Sequence, residues 1–162
     1  MTASKVELSI ATPDAMEALG ALLATRLDAG DLVALNGELG AGKTTFTRGL
    51  GAALQVRGAV TSPTFVLART HPRPAGGAPL VHVDAYRLGT AMELDDLDID
   101  FATSIVVVEW GAGKLDGITD EWLELDIVRP IGGVETDEGV EPRRVTATGN
   151  GPKWADLGWL RA

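Results

Sequence analysis

The sequence predicts an α/β fold, a three-layer sandwich around a largely parallel central sheet. Three observations carry that expectation. Short continuous apolar runs, LVAL at 32–35 and IVVV at 105–108, read as strands buried on both faces. Apolar stripes at helical spacing alternate with such runs along the chain. A Gly-rich loop at 37–42 joins one of these strands directly to a helix pattern. The 162 residues suffice for one domain with a proper core. No internal repeat or linker tract divides them, so residues 1–162 are expected to form a single domain.

The first helix is expected to begin at Thr12, which can cap it. Pro13 suits the first helical position, and Asp14 favours the positive end of the helix dipole. Met16, Leu19, Leu22, Leu23 and Leu27 then recur at spacings of three and four, a core-facing stripe that Gly30 is expected to end. A strand at 32–35 precedes the Gly-rich loop, and 43–55 reads as the next helix. Further strands are expected at 65–69, 80–84, 105–109 and 122–128, with another at 144–148. The acidic stretch 93–100 reads as partly helical. A last helix at 153–160 would place Trp154 and Leu157 on one face. Two segments read as loops: HPRPAGGAP at 71–79, where His71 is expected to be exposed, and PIGGVETDEGVEP at 130–142.

Composition narrows the possible roles. There are 23 acidic and 14 basic residues, a net charge of −9. A free-standing nucleic-acid binder needs clustered Lys and Arg to neutralise phosphates, so that class is excluded. With 45% apolar residues, a wholly disordered chain is excluded too. No apolar run approaches 18 residues, so no membrane span is expected. Cysteine is absent, which removes disulfides, thiolate catalysis and Cys-ligated zinc. The first residues, MTASKVELSIATPD, lack a charged-then-apolar signal pattern, so a cytoplasmic setting is expected.

Residues 37–44 read GELGAGKT, which fits G-x-x-x-x-G-K-[ST] without a mismatch. From this chain's composition the pattern arises by chance about 0.7% of the time. Small residues let backbone N–H groups close around phosphate oxygens, and the following helix N-terminus adds partial positive charge. The candidate phosphate cradle is therefore Glu38, Leu39, Gly40, Ala41 and Gly42, followed by Lys43, Thr44 and Thr45. Lys43 brings a point charge to the β and γ phosphates. The Thr44 hydroxyl is a hard oxygen suited to Mg²⁺. This makes the expected fold P-loop NTPase-like, with the phosphates of a nucleotide and Mg²⁺ as the expected ligands.

Such a site needs further acids. In parallel α/β sheets, ligands sit beyond the carboxyl ends of strands. Two acids end apolar runs: Glu109 after IVVV, and Asp84 after LVHV. Glu109 as a solvated strand end, and Asp84 as a turn acid ahead of Tyr86, are the bland alternatives. Asp95, Asp96, Asp98 and Asp100 read as a solvated face. His82 alternates with Val81 and Val83, so it reads as a satisfied core histidine.

In combination, these segments resemble the TsaE (YjeE) family of small bacterial P-loop ATPases. GELGAGKTTFTRGL at 37–50, TSPTF at 61–65, HVDAYRL at 82–88 and VVVEW at 106–110 match in order, and ELDDLDIDF at 93–101 resembles the family's Glu-Leu-rich stretch. The resemblance spans about residues 10 to 110. It implies a role in making threonylcarbamoyladenosine at position 37 of tRNAs. It implies ATP binding and Mg²⁺-dependent hydrolysis, weak without partners, that resets a complex of the TsaD transferase and TsaB. By the same likeness, Thr44 and Glu109 hold Mg²⁺, Lys43 binds phosphate, and Asp84 assists hydrolysis by orienting or deprotonating water. Residues 62–65 would form a switch near the γ-phosphate, and Trp110 would pack by the nucleotide. Family members often carry Pro after Glu-Trp, whereas here Gly111, Ala112 and Gly113 follow.

Two other classes compete. A small-molecule kinase of the P-loop class would need an Arg-bearing lid over the phosphates. The lid candidates are 71–79, with one arginine (Arg73), and 130–142, with none. A non-enzymatic nucleotide-gated module would not need the two strand-end acids.

Overall fold

The computed structural model describes residues 4–37, 42–56, 68–84, 99–109, 121–128 and 143–161. In chain order these hold β1 (Ser4–Ile10), α1 (Pro13–Ala24), β2 (Leu32–Asn36), α2 (Lys43–Leu54), β3 (Ala68–His71), β4 (Leu80–Asp84), β5 (Ile105–Glu109), β6 (Trp122–Val128) and β7 (Arg143–Asn150). Two 3₁₀ turns, Pro152–Trp154 and Gly158–Arg161, follow. The strands form one sheet in the order β1-β7-β6-β2-β5-β4-β3.

The middle of the sheet is parallel, with β6, β2, β5 and β4 side by side. Antiparallel strands complete both edges: β3 beside β4, and β7 then β1 beside β6. Side-chain patterns follow this division. All five residues of β5 are buried, as a β-branched run covered on both faces requires. β6 instead alternates, with Leu123, Leu125 and Ile127 buried between half-buried neighbours. β1 is not among the expected strands, yet it carries the same period: Val6, Leu8 and Ile10 pack on the core while Lys5, Glu7 and Ser9 are exposed.

Alternation sorts the core into two layers. Val33, Leu35, Leu80, Ile105 and Val107 share one face with the buried stripes of α1 and α2. Leu32, Ala34, Val81, Val83, Val106 and Val108 share the other, where Ile99, Phe101 and Trp122 pack against them.

Helix α1 starts as its sequence dictates. Thr12 Oγ1 accepts the Ala15 N–H at 3.1 Å, and Pro13 opens the first turn. It ends at Ala24, earlier than Gly30. Thr25 Oγ1 donates to the Leu22 carbonyl at 2.7 Å, the chain loosens, and Gly30 (φ +95°) makes a separate turn into β2. Leu27 is buried all the same. The two helices touch backbone to backbone. A Cβ at Gly49 would stand 2.1 Å from the Glu17 carbonyl oxygen, and one at Gly20 would stand 2.2 Å from that of Phe46. This contact fixes α2, and with it the start of the phosphate loop's helix, against the sheet.

Two expectations need correction. The C-terminal helix at 153–160 is replaced by the two 3₁₀ turns. Asp156 Oδ1 accepts the Gly158 N–H at 2.9 Å, a local bond that competes with a helical one. Trp154, Leu157 and Leu160 are nonetheless buried. His71 is not an exposed loop residue. It is the last residue of β3, pairs with Leu80, and is only 4% exposed. The strand expected at 65–69 begins at Ala68 within the described residues, and 65–67 lie outside them. The helical reading of 93–100 and the 130–142 loop also fall almost wholly or wholly outside. Among the described residues no helix is long and apolar enough to cross a membrane.

Candidate functional site

The candidate phosphate loop joins the end of β2 to the start of α2. Glu38, Leu39, Gly40 and Ala41 lie outside the described residues, but Gly37 and Gly42 on either side are described. Gly42 takes φ +120°, a conformation that side chains resist, and leads straight into α2. Lys43, the first residue of α2, is buried, and its Nζ donates to the Gly37 carbonyl at 2.5 Å. The lysine thus folds back across the loop and ties its two ends together. Thr47 Oγ1 donates to the Lys43 carbonyl at 2.9 Å, which steadies the helix turn that carries Lys43, Thr44 and Thr45. Below the loop, Asn36 Nδ2 donates to Asp126 Oδ1 at 3.0 Å, joining the carboxyl ends of β2 and β6.

The two strand-end acids arrive from the other side. In the register of the sheet, Glu109 stands opposite Leu35 of β2 and opposite Asp84 of β4. The three carboxyl ends therefore lie at one sheet edge, in line with the start of the loop. Alternation places Asp84 and Glu109 on the α2 side, because Leu80, Ile105, Val107 and Leu35 of the same strands pack with the helices. Asp84 is half-buried and Glu109 is buried.

Lys43 lies within reach of the charges of both acids. Burial pushes the Lys43 ammonium below the ordinary lysine value of 10.5, while the charges of Glu109 and then Asp84 oppose that shift. One cation thus faces two carboxylates in a partly dry site. Glu109 Oε2 is buried without an aligned hydrogen bond.

That donor set suits a hard divalent cation. A buried carboxylate is held at a cost that a cation would offset. Among the described residues no three His, Cys, Asp or Glu side chains form a metal cluster. Mg²⁺ is usually bound by one or two protein oxygens together with phosphate oxygens, so Glu109 and the Thr44 hydroxyl would be enough.

Of the residues singled out from sequence, Gly42, Lys43, Thr44, Thr45, Asp84 and Glu109 are described, and all stand at this edge. Ser62 to Phe65 and Trp110 are not. Sequence reasoning missed His82. It is fully buried on β4, but it is not a satisfied core histidine. Its Nε2 lies 2.5 Å from Glu109 Oε2, and neither ring nitrogen makes an aligned hydrogen bond. The two-residue spacing from Asp84 was the available signal, since it puts both on one face. Arg73, from the 71–79 segment, donates through Nε to the Leu54 carbonyl at 2.9 Å, at the far end of α2 from Lys43.

Comparison with known proteins adds an independent line. A family model described as threonylcarbamoyl adenosine biosynthesis protein TsaE matches residues 10–132, a span that contains every site residue above. The chain is 57% identical over 143 residues to the tRNA threonylcarbamoyladenosine biosynthesis protein TsaE of Streptomyces coelicolor, covering 86% of this chain and 94% of that one. It is 32% identical over 148 residues to the protein of the same description from Bacillus subtilis, covering 90% and 86%. Among solved structures it is similar to Bacillus subtilis YdiB, with a TM-score of 0.71, 27% identity, and 95% and 91% of the two chains covered.

Proposed function

Since this chain belongs to the TsaE family, and so to tRNA threonylcarbamoyladenosine biosynthesis, we propose that it is the ATP-hydrolysing switch of that pathway. It binds ATP with Mg²⁺ at the β2–α2 loop and hydrolyses it slowly when alone. Hydrolysis resets the TsaD–TsaB transferase complex between rounds of modification, in the cytoplasm. One observation carries this reading: Lys43, Asp84 and Glu109 converge where the carboxyl ends of three parallel strands meet the phosphate loop.

The roles follow from the chemistry. Backbone N–H groups of the loop and the N-terminus of α2 bind phosphate oxygens. Lys43 exchanges its bond to the Gly37 carbonyl for one to a phosphate. Thr44 and Glu109 hold Mg²⁺, which neutralises charge on the phosphates when bound. Asp84, half-buried beside Glu109, accepts a hydrogen bond from the attacking water and orients it. The net charge of −9 suits a surface that meets a protein partner and leaves tRNA binding to that partner.

ATP hydrolysis measured alone, with TsaD and TsaB, and with tRNA added tests this reading. Stimulation by the partners is expected, and Lys43→Ala is expected to stall multi-cycle modification. Normal turnover over many cycles by that variant would sink the reading. The kinase alternative loses its lid arginine at 71–79: Arg73 binds the C-terminus of α2, on the order of 16 Å along the helix from Lys43. Transfer of labelled γ-phosphate to a metabolite in place of water would restore it.

A further inference from the structure

His82 has no part in the roles just given, yet it touches one of their members. It sits one layer beneath Asp84 on β4, sharing a face with Glu109, and is fully buried. Its Nε2 lies 2.5 Å from Glu109 Oε2. A ring nitrogen and a carboxylate oxygen repel at that distance unless a proton lies between them. An N–H at Nε2 supplies one.

The position is also a poor one for a histidine. Val81 and Val83 flank it in sequence, and Leu80 and Val107 share its face. Neither ring nitrogen makes an aligned hydrogen bond. A buried polar ring with unaligned nitrogens is disfavoured against an apolar side chain of similar volume. Stability therefore does not account for this residue, whereas its contact with Glu109 does.

We propose that His82 is a positioning residue: it presses its Nε2–H against Glu109 Oε2 and so fixes how that carboxylate is presented to Mg²⁺. This rests on the reading of Glu109 as a cation ligand. Hydrogen bonds in ligand-free sites are commonly misaligned and tighten when the ligand arrives. Partners that orient a metal-binding side chain typically account for 10–100-fold in metal affinity.

The test measures affinity for a fluorescent ATP analogue as Mg²⁺ is titrated, and again in EDTA. Wild type, His82→Leu, His82→Gln and Glu109→Gln are compared, each with its denaturation midpoint. His82→Leu is expected to raise the Mg²⁺ concentration at half-effect roughly tenfold or more. Its affinity in EDTA and its midpoint should be unchanged, or the midpoint higher. His82→Gln, whose Nε2–H reaches about as far, should stay within about threefold of wild type. A leucine variant with wild-type Mg²⁺ dependence overturns the proposal, as does a glutamine variant no better than leucine. If the leucine variant does not fold, His82→Asn replaces it, because its amide is too short to reach Oε2. Should Glu109→Gln itself leave Mg²⁺ dependence intact, the reading of Glu109 has failed. If only Glu109→Gln disturbs it, the role of His82 alone has failed.

Discussion

Asp84 and Glu109 stand directly opposite one another on adjacent parallel strands, in line with Leu35 at the mouth of the phosphate loop. They come from runs 25 residues apart in the chain, yet the β4–β5 register makes them nearest neighbours on one face. The buried Lys43 ammonium feels both of them, Glu109 more than Asp84. Their burial differs, and so should their roles.

Asp84→Asn keeps size and position but removes the charge that orients water. Hydrolysis should fall by about 10²-fold or more, in the usual range for a general base. Affinity for MgATP should change little, because Asp84 is not expected to touch phosphate. Single-turnover hydrolysis and equilibrium titration on the same samples separate the two. Equal losses in both would place Asp84 among the binding groups.

Lys43→Met removes the ammonium that ties the loop ends together through Gly37. A charge-assisted hydrogen bond contributes about 1.5–3 kcal/mol, so nucleotide affinity should drop by about ten- to a hundredfold. Calorimetric titration with ATP reads this directly. Unchanged affinity would mean that the lysine serves only to close the loop.

Gly49→Ala and Gly20→Ala probe the seat of α2. Alanine is better than glycine in a helix by about 1 kcal/mol. Here the added Cβ would collide with backbone oxygen atoms at 2.1 and 2.2 Å, which cannot swing aside. Forcing the helices apart costs about 1–3 kcal/mol or more, so overpacking should win. Both variants are expected to unfold at lower denaturant concentration and to bind ATP more weakly, since the loop rides on α2. A stabilised Gly49→Ala would show that the helices separate freely.

Asn36 and Asp126 are coupled across β2 and β6. Asn36→Ala should cost about 1 kcal/mol, with Asp126→Ala adding little more once Asn36 is gone, because a side-chain hydrogen bond is worth roughly that much. A double-mutant cycle in urea measures the coupling, and strict additivity would count against a shared bond.

Local signals were enough wherever a segment's structure depends on its own residues. Thr12 and Pro13 start α1 because capping is a matter of three neighbouring residues. β4 and β5 run where their apolar runs run. The reading weakens where distant partners decide. β1 alternates visibly in sequence, but it becomes a strand because β7 accepts it as an antiparallel partner. The segment 153–160 carries a helical stripe, yet Gly158 and Asp156 break it while Trp154 docks against Gly149.

Residue chemistry at short spacing was enough for the Gly-rich segment between a strand and a helix and for the two acids that close strands. That Lys43, Asp84 and Glu109 meet, and that His82 lies against Glu109, comes from long-range packing. Both depend on strand order and register, which are set by packing across the whole sheet and leave no local trace in the chain.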